Sequence, residues 1–103
     1  YRLGIYGFAA FEGSDYANMA IDDVRAALEW VQDNIESFGG NPKNVTLGGF
    51  SAGGNMVSWQ AILQAQRVSD WNLQKSGPMP RELFQRLYMM SGLYSIIPPR
   101  TLE

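Results

Sequence analysis

The sequence predicts an α/β fold with the order β-α-β-α-β, a mostly parallel sheet carrying helices on both faces. Three observations point there: two helical periodicities, the short apolar runs that flank them, and turn residues at the junctions. Strands joined through helices make right-handed crossovers, and such strands lie parallel. With 103 residues, 46% of them hydrophobic and 17% charged, the chain is globular and too short for two domains. A net charge of −2 provides no basic footprint, so neither nucleic acid nor an anionic membrane surface is expected as a partner. No stretch approaches the about 18 consecutive apolar residues of a membrane span. Cysteine and histidine are both absent, which excludes disulfides, thiolate chemistry and any imidazole base within these residues.

The first strand is predicted over 1–6, Tyr-Arg-Leu-Gly-Ile-Tyr, with no turn before it. A loop over 9–18 follows, carrying Gly13, Ser14, Asp15 and Asn18, with Asn18 the expected helix N-cap and Asp22 and Asp23 in the positive first turn. Ala20, Val24, Ala27, Leu28, Val31 and Ile35 recur every three or four residues against Arg25, Glu29, Asp33 and Glu36, predicting a helix over 19–37. Gly39-Gly40 and Pro42 stop it. The run from Val45 to Phe50 reads as a strand buried on both faces. Met56, Val57, Ala61, Ile62, Leu63 and Ala65 predict a second helix ending near Arg67, and 69–80, with Gly77, Pro78 and Pro80, is read as loop. A third strand is expected over 86–90, closed by Ser91-Gly92.

Chemistry concentrates at Gly49-Phe50-Ser51-Ala52-Gly53, a GxSxG pentapeptide at the junction of a predicted strand and helix. A serine there occupies a sharp turn, with glycines two before and two after leaving room for neighbouring backbone. The following helix directs its N–H dipoles at the reacting centre. Ser51 is therefore the candidate nucleophile, and the backbone N–H of Ala52 the candidate oxyanion donor, a contact that elsewhere is worth about 3–4 kcal/mol. The plainer alternative is that glycine and serine merely make a tight turn.

The wider text resembles the type-B carboxylesterase/lipase family, which includes the cholinesterases. The resemblance runs through Tyr1-Arg2-Leu3-Gly4, Gly7-Phe8, Asn18, Asp23 and the helix Ala27-Leu28-Glu29-Trp30-Val31-Gln32-Asp33-Asn34-Ile35. It continues through Phe38-Gly39-Gly40-Asn41-Pro42, Val45-Thr46 and Gly49 to Gly54, then Leu83-Phe84 and Met89-Met90-Ser91-Gly92. It implies an α/β-hydrolase that cleaves small-molecule or lipid carboxylic esters through an acyl-serine, needing no cofactor and no metal. It implies an acyl-pocket role for Leu93 and Tyr94, and a secreted or endomembrane-lumen location. It also implies that 1–103 is part of such a domain, truncated at both ends, because the family's oxyanion loop lies upstream and its acid and histidine downstream. The expected alternatives are a cholinesterase-like adhesion module without catalysis, or an inactive fragment. The 103 residues alone are expected to aggregate or remain molten through open sheet edges and exposed apolar surface.

Departures are few. Phe50 stands where the family commonly has Glu, and Ala17 and Ala20 stand where it has glycine, both acceptable if their φ angles are negative. Asn44-Val45-Thr46 is an N-glycosylation sequon, but its last two residues enter the strand expected to be buried. Asp22 and Asp23 face about 100° apart on a helix and serve its first turn better than a metal.

Overall fold

The computed structural model describes residues 1–11, 13 and 17–93. Its elements are α1 (Gly4–Phe8), α2 (Met19–Asn34), a 3₁₀ turn (Ile35–Phe38), β1 (Thr46–Phe50), α3 (Ala52–Gln74) and β2 (Arg86–Met90). β1 and β2 pair in parallel, from Thr46 opposite Arg86 to Phe50 opposite Met90. α3 is the crossover between them, as a parallel pair requires.

The predicted first strand is corrected: Gly4–Phe8 is helical. No further strand lies beside it among the described residues, and a helical turn satisfies its own backbone where a strand would need a neighbour. Arg2 fixes this segment, its Nη2 reaching Asp23 Oδ1 at 2.8 Å and its N–H reaching Asp23 Oδ2 at 2.9 Å. Gly7 sits so close to Arg2 and Ala20 that a Cβ there would lie 2.2 Å from the Arg2 carbonyl oxygen.

α2 follows the apolar stripe, burying Ala20 and Leu28. Asn18 holds the cap position but in the left-handed region, φ 57°, and makes no side-chain cap bond. That geometry turns its side chain from the amides an extended N-cap would reach, and Asn tolerates it better than most residues. Ala17 and Ala20 do not share it, so the family's glycines are not needed at these two positions. The predicted end over 35–37 tightens into the 3₁₀ turn, and Gly39 at φ 85° donates to the Glu36 carbonyl.

α3 runs past the predicted end near Arg67 to Gln74, because 68–74 contains no glycine or proline to stop it. Gln66 donates to Asp70 one turn on, and Trp71 Nε1 reaches the Gly77 carbonyl at 3.0 Å, closing the end.

Leu47 and Met89 share the sheet face toward α3, where Ser58 Oγ lies 3.1 Å from the Met89 sulfur. The core is Leu28, Leu83 and Phe84, against which Val24, Val45, Leu47 and Ala61 pack. Glutamines tie the irregular approach to β2 into it. Gln32 Nε2 donates to the Leu83 carbonyl, and Gln64 both donates to Phe84 O and accepts from Leu83 N–H, at 3.1 and 2.8 Å. Gln85 Oε1 accepts the Val45 N–H at 2.7 Å.

Helices on both faces are not seen among the described residues. The face bearing Phe50, Tyr88 and Met90 is open, with Phe50 67% and Tyr88 60% exposed. Thr46 shares that open face, so the sequon threonine is exposed rather than buried, and Asn44 Oδ1 accepts a hydrogen bond from the Arg86 guanidinium. The physical reason is that α3 packs on the other face of the strand pair and α2 packs against α3, so neither helix covers this face.

Candidate functional site

Ser51 is the single residue between β1 and α3, at φ 55° and ψ −117°. A side chain beyond glycine is strained there by about 1–3 kcal/mol, and such angles persist only where the surroundings impose them. Two bonds impose them here. The Ser51 N–H donates to the Met90 carbonyl at 2.8 Å, and the Ser51 carbonyl accepts from Asn55 N–H at 3.1 Å. The bend is thus held by the neighbouring strand on one side and by α3 on the other, and it leaves Ser51 exposed.

The tight approach rests on Gly49. A Cβ there would lie 2.2 Å from the Gly53 carbonyl oxygen and 2.8 Å from the Gly54 nitrogen, because the first turn of α3 folds back over the end of β1. Gly53 differs from its expected role: a Cβ at that position meets no atom within 4 Å, so the room is needed at the first glycine of the pentapeptide and not at the last. Ala52 is exposed at the first position of α3, where backbone N–H groups have no partner one turn back and the helix end is positive.

Two glycines outside the pentapeptide complete the turn. Gly54 is buried against Gly92, and a Cβ on Gly92 would lie 2.1 Å from the Ser51 carbonyl oxygen. The sequence reading took Ser91-Gly92 as a strand stop and as part of the family resemblance, and gave Gly92 no role at the serine; the available signal was a glycine at the end of the strand next to the serine's own, the edge along which parallel strands converge on one site. Ser91 is also left-handed, φ 55°.

The remaining predicted site residues fall around this turn unevenly. Phe50 projects from the open sheet face opposite Met90. Leu93 is half-exposed one residue beyond Gly92, and Tyr94 lies outside the described residues. A groove of about 620 Å³ lies elsewhere, lined by Leu3, Ile5, Phe11 and Met19 among others, and does not include Ser51.

Away from the turn, Asp23 is held down to about 2, first by its side-chain hydrogen bond from Arg2, then by the Arg2 backbone N–H. The Arg67 guanidinium is pushed down by burial and by Arg25, and its Nη2 is buried without a hydrogen bond.

A strand, a strained serine turn and a helix, laid beside a parallel second strand whose end touches that serine, define an α/β unit with an exposed serine at its strand-to-helix bend. The Carboxylesterase family profile matches residues 1–96, and the chain belongs to that family, whose fold is the α/β-hydrolase. It is 41% identical over 95 residues to an acetylcholinesterase of Danio rerio, covering 90% of this chain and 13% of the relative. It is 51% identical over 65 residues to a secreted lipase of Arthroderma benhamiae, covering 60% and 12%. A cholinesterase of Mus musculus is 53% identical over 60 residues, covering 56% and 10%. The chain therefore spans at most 13% of the length of these relatives. No helix among the described residues is long and apolar enough to cross a membrane.

Proposed function

We propose that this chain carries the nucleophile of a serine carboxylic-ester hydrolase. Ser51 Oγ attacks the ester carbonyl, its proton passes to a base, and the tetrahedral oxyanion receives the Ala52 N–H. Collapse expels the alcohol, which takes the proton, and leaves an acyl-serine; water then attacks, the carboxylic acid departs and Ser51 regains its hydrogen. Since no histidine occurs in the sequence, an imidazole base comes from residues outside it.

The observation that carries this reading is the strained bend at Ser51, imposed by two backbone bonds and opened by Gly49. Energy is stored at the one residue whose hydroxyl the chemistry needs, the pattern expected of a functional site. Leu93, one residue past the glycine that touches Ser51, supports an acyl-pocket wall there, with Tyr94 beside it in sequence. The substrate is a small-molecule or lipid carboxylic ester, and the secreted fungal lipase among the relatives supports an exported or endomembrane-lumen location for the whole protein.

The test is hydrolysis of p-nitrophenyl esters by a longer chain containing these residues, with Ser51→Ala beside it. Loss of turnover to background in the variant is expected. Turnover that survives the substitution overturns the proposal.

A further inference from the structure

We propose that Gly92 is a positioning residue for Ser51, an inference that rests on the nucleophile reading above. Gly92 is buried and its φ is not positive, so backbone angle alone does not exclude a side chain there. Space does. A Cβ would lie 2.1 Å from the Ser51 carbonyl oxygen, 3.0 Å from the Asn55 nitrogen and 3.1 Å from Asn55 Oδ1. The first two are the acceptor and donor of the bond that fixes the exit from the bend. Two residues earlier, the Met90 carbonyl accepts the Ser51 N–H that fixes its entry. The short segment 90–92 therefore controls both sides of the serine: Met90 by a hydrogen bond, Gly92 by its lack of a side chain.

Any side chain at 92 must drive the Ser51 carbonyl away from Asn55 N–H or push β2 off the turn. Either movement re-aims Oγ without removing a chemical group from the site. An interaction that acts only through orientation lowers kcat and leaves substrate binding alone.

The experiment uses a longer, ester-hydrolysing chain containing these residues, with active serines counted by fluorophosphonate titration. Gly92→Ala is expected to lower kcat per titrated serine about 100-fold while KM stays within about threefold, the signature of a displacement near 1 Å. A kcat within about threefold of the parent, or a change confined to KM, overturns the proposal. Should Gly92→Ala not yield folded protein, Gly54→Ala applies the same pressure more gently, since its Cβ would meet Gly92 Cα and O at 3.1 Å. A fall of about tenfold in kcat at unchanged KM then supports the role, and an unchanged kcat overturns it. Ser51→Ala separates the two readings. A Ser51→Ala protein that still hydrolyses ester sinks the nucleophile reading, and with it this role; an inactive one beside a normal Gly92→Ala sinks the positioning role only.

Discussion

Gly49→Ala introduces the smallest side chain at a point of the serine turn crowded by backbone. Its Cβ would lie 2.2 Å from the Gly53 carbonyl oxygen and 2.3 Å from its carbon. Non-bonded heavy atoms settle at about 3.5–4.0 Å, so the first turn of α3 must retreat from β1 by more than about 1 Å. Both obstructing atoms are backbone, which has no rotamer to change, and the retreat passes into Ser51 two residues away. A displacement of about 1 Å costs a positioned catalytic group about 100-fold in rate, which is about 2.7 kcal/mol in the barrier. The assay is the second-order rate of fluorophosphonate modification, with kcat/KM for a p-nitrophenyl ester, in a longer chain containing these residues. Gly53→Ala is the matched control, because its Cβ meets nothing within 4 Å; it is expected to stay within about threefold, and alanine favours the helix by about 1 kcal/mol over glycine. Equal damage from the two substitutions, or a Gly49→Ala protein modified at the parental rate, would refute the reasoning.

Ser51→Gly removes the strain at φ 55° and is expected to melt higher than Ser51→Ala, by the few degrees that about 1–3 kcal/mol of released strain represents, while both lose labelling. Thermal melts of the three proteins side by side check this, and a lower melting point for Ser51→Gly counts against a strained turn. Asp23 has a folded-state value of about 2 against an ordinary 3.8. A depressed carboxyl contributes stability that is complete above its unfolded value and is lost as pH falls toward the folded one. Asp23→Asn is therefore expected to flatten the decline in stability between pH 3.8 and 2, an effect that added salt weakens because the pair is exposed. Gln64→Leu leaves Phe84 O and Leu83 N–H without their partner, and a part-buried unpaired group costs about 1–3 kcal/mol. Hydrogen exchange at the Leu83 amide is expected to accelerate about tenfold or more, and unchanged protection would argue against the glutamine tether.

The parts of this fold that local periodicity encodes were legible in the sequence. α2 follows its three-and-four spacing from Met19, β2 spans the five residues expected, and the parallel pairing follows from the helix between the strands. Misreadings came where non-local contacts decide. Residues 1–6 carry β-favouring side chains, yet strand formation needs a neighbour, and a helical turn pinned by Arg2 and Asp23 forms instead. α3 overran its expected end because ending a helix takes a specific residue, and 68–74 holds no glycine or proline. At the site, the pentapeptide pointed to Ser51, but spacing alone treats its two glycines as equals. Only the fold separates them, placing Gly49 against backbone and Gly53 in open space, and only the fold brings Gly92 from 41 positions away onto the serine carbonyl. The glutamines at 32, 64 and 85 carried no signal because their partners are backbone groups distant in sequence.

The central claim is that Ser51 is the nucleophile, and the most direct measurement is the site of covalent modification. A longer, ester-hydrolysing chain containing these residues is treated with a fluorophosphonate, digested and mapped by mass spectrometry, with Ser51→Ala as control. The account predicts one adduct, on Ser51, absent in the variant and formed in step with loss of hydrolysis. An adduct on another residue that tracks inactivation, or full inactivation with Ser51 unmodified, would contradict it.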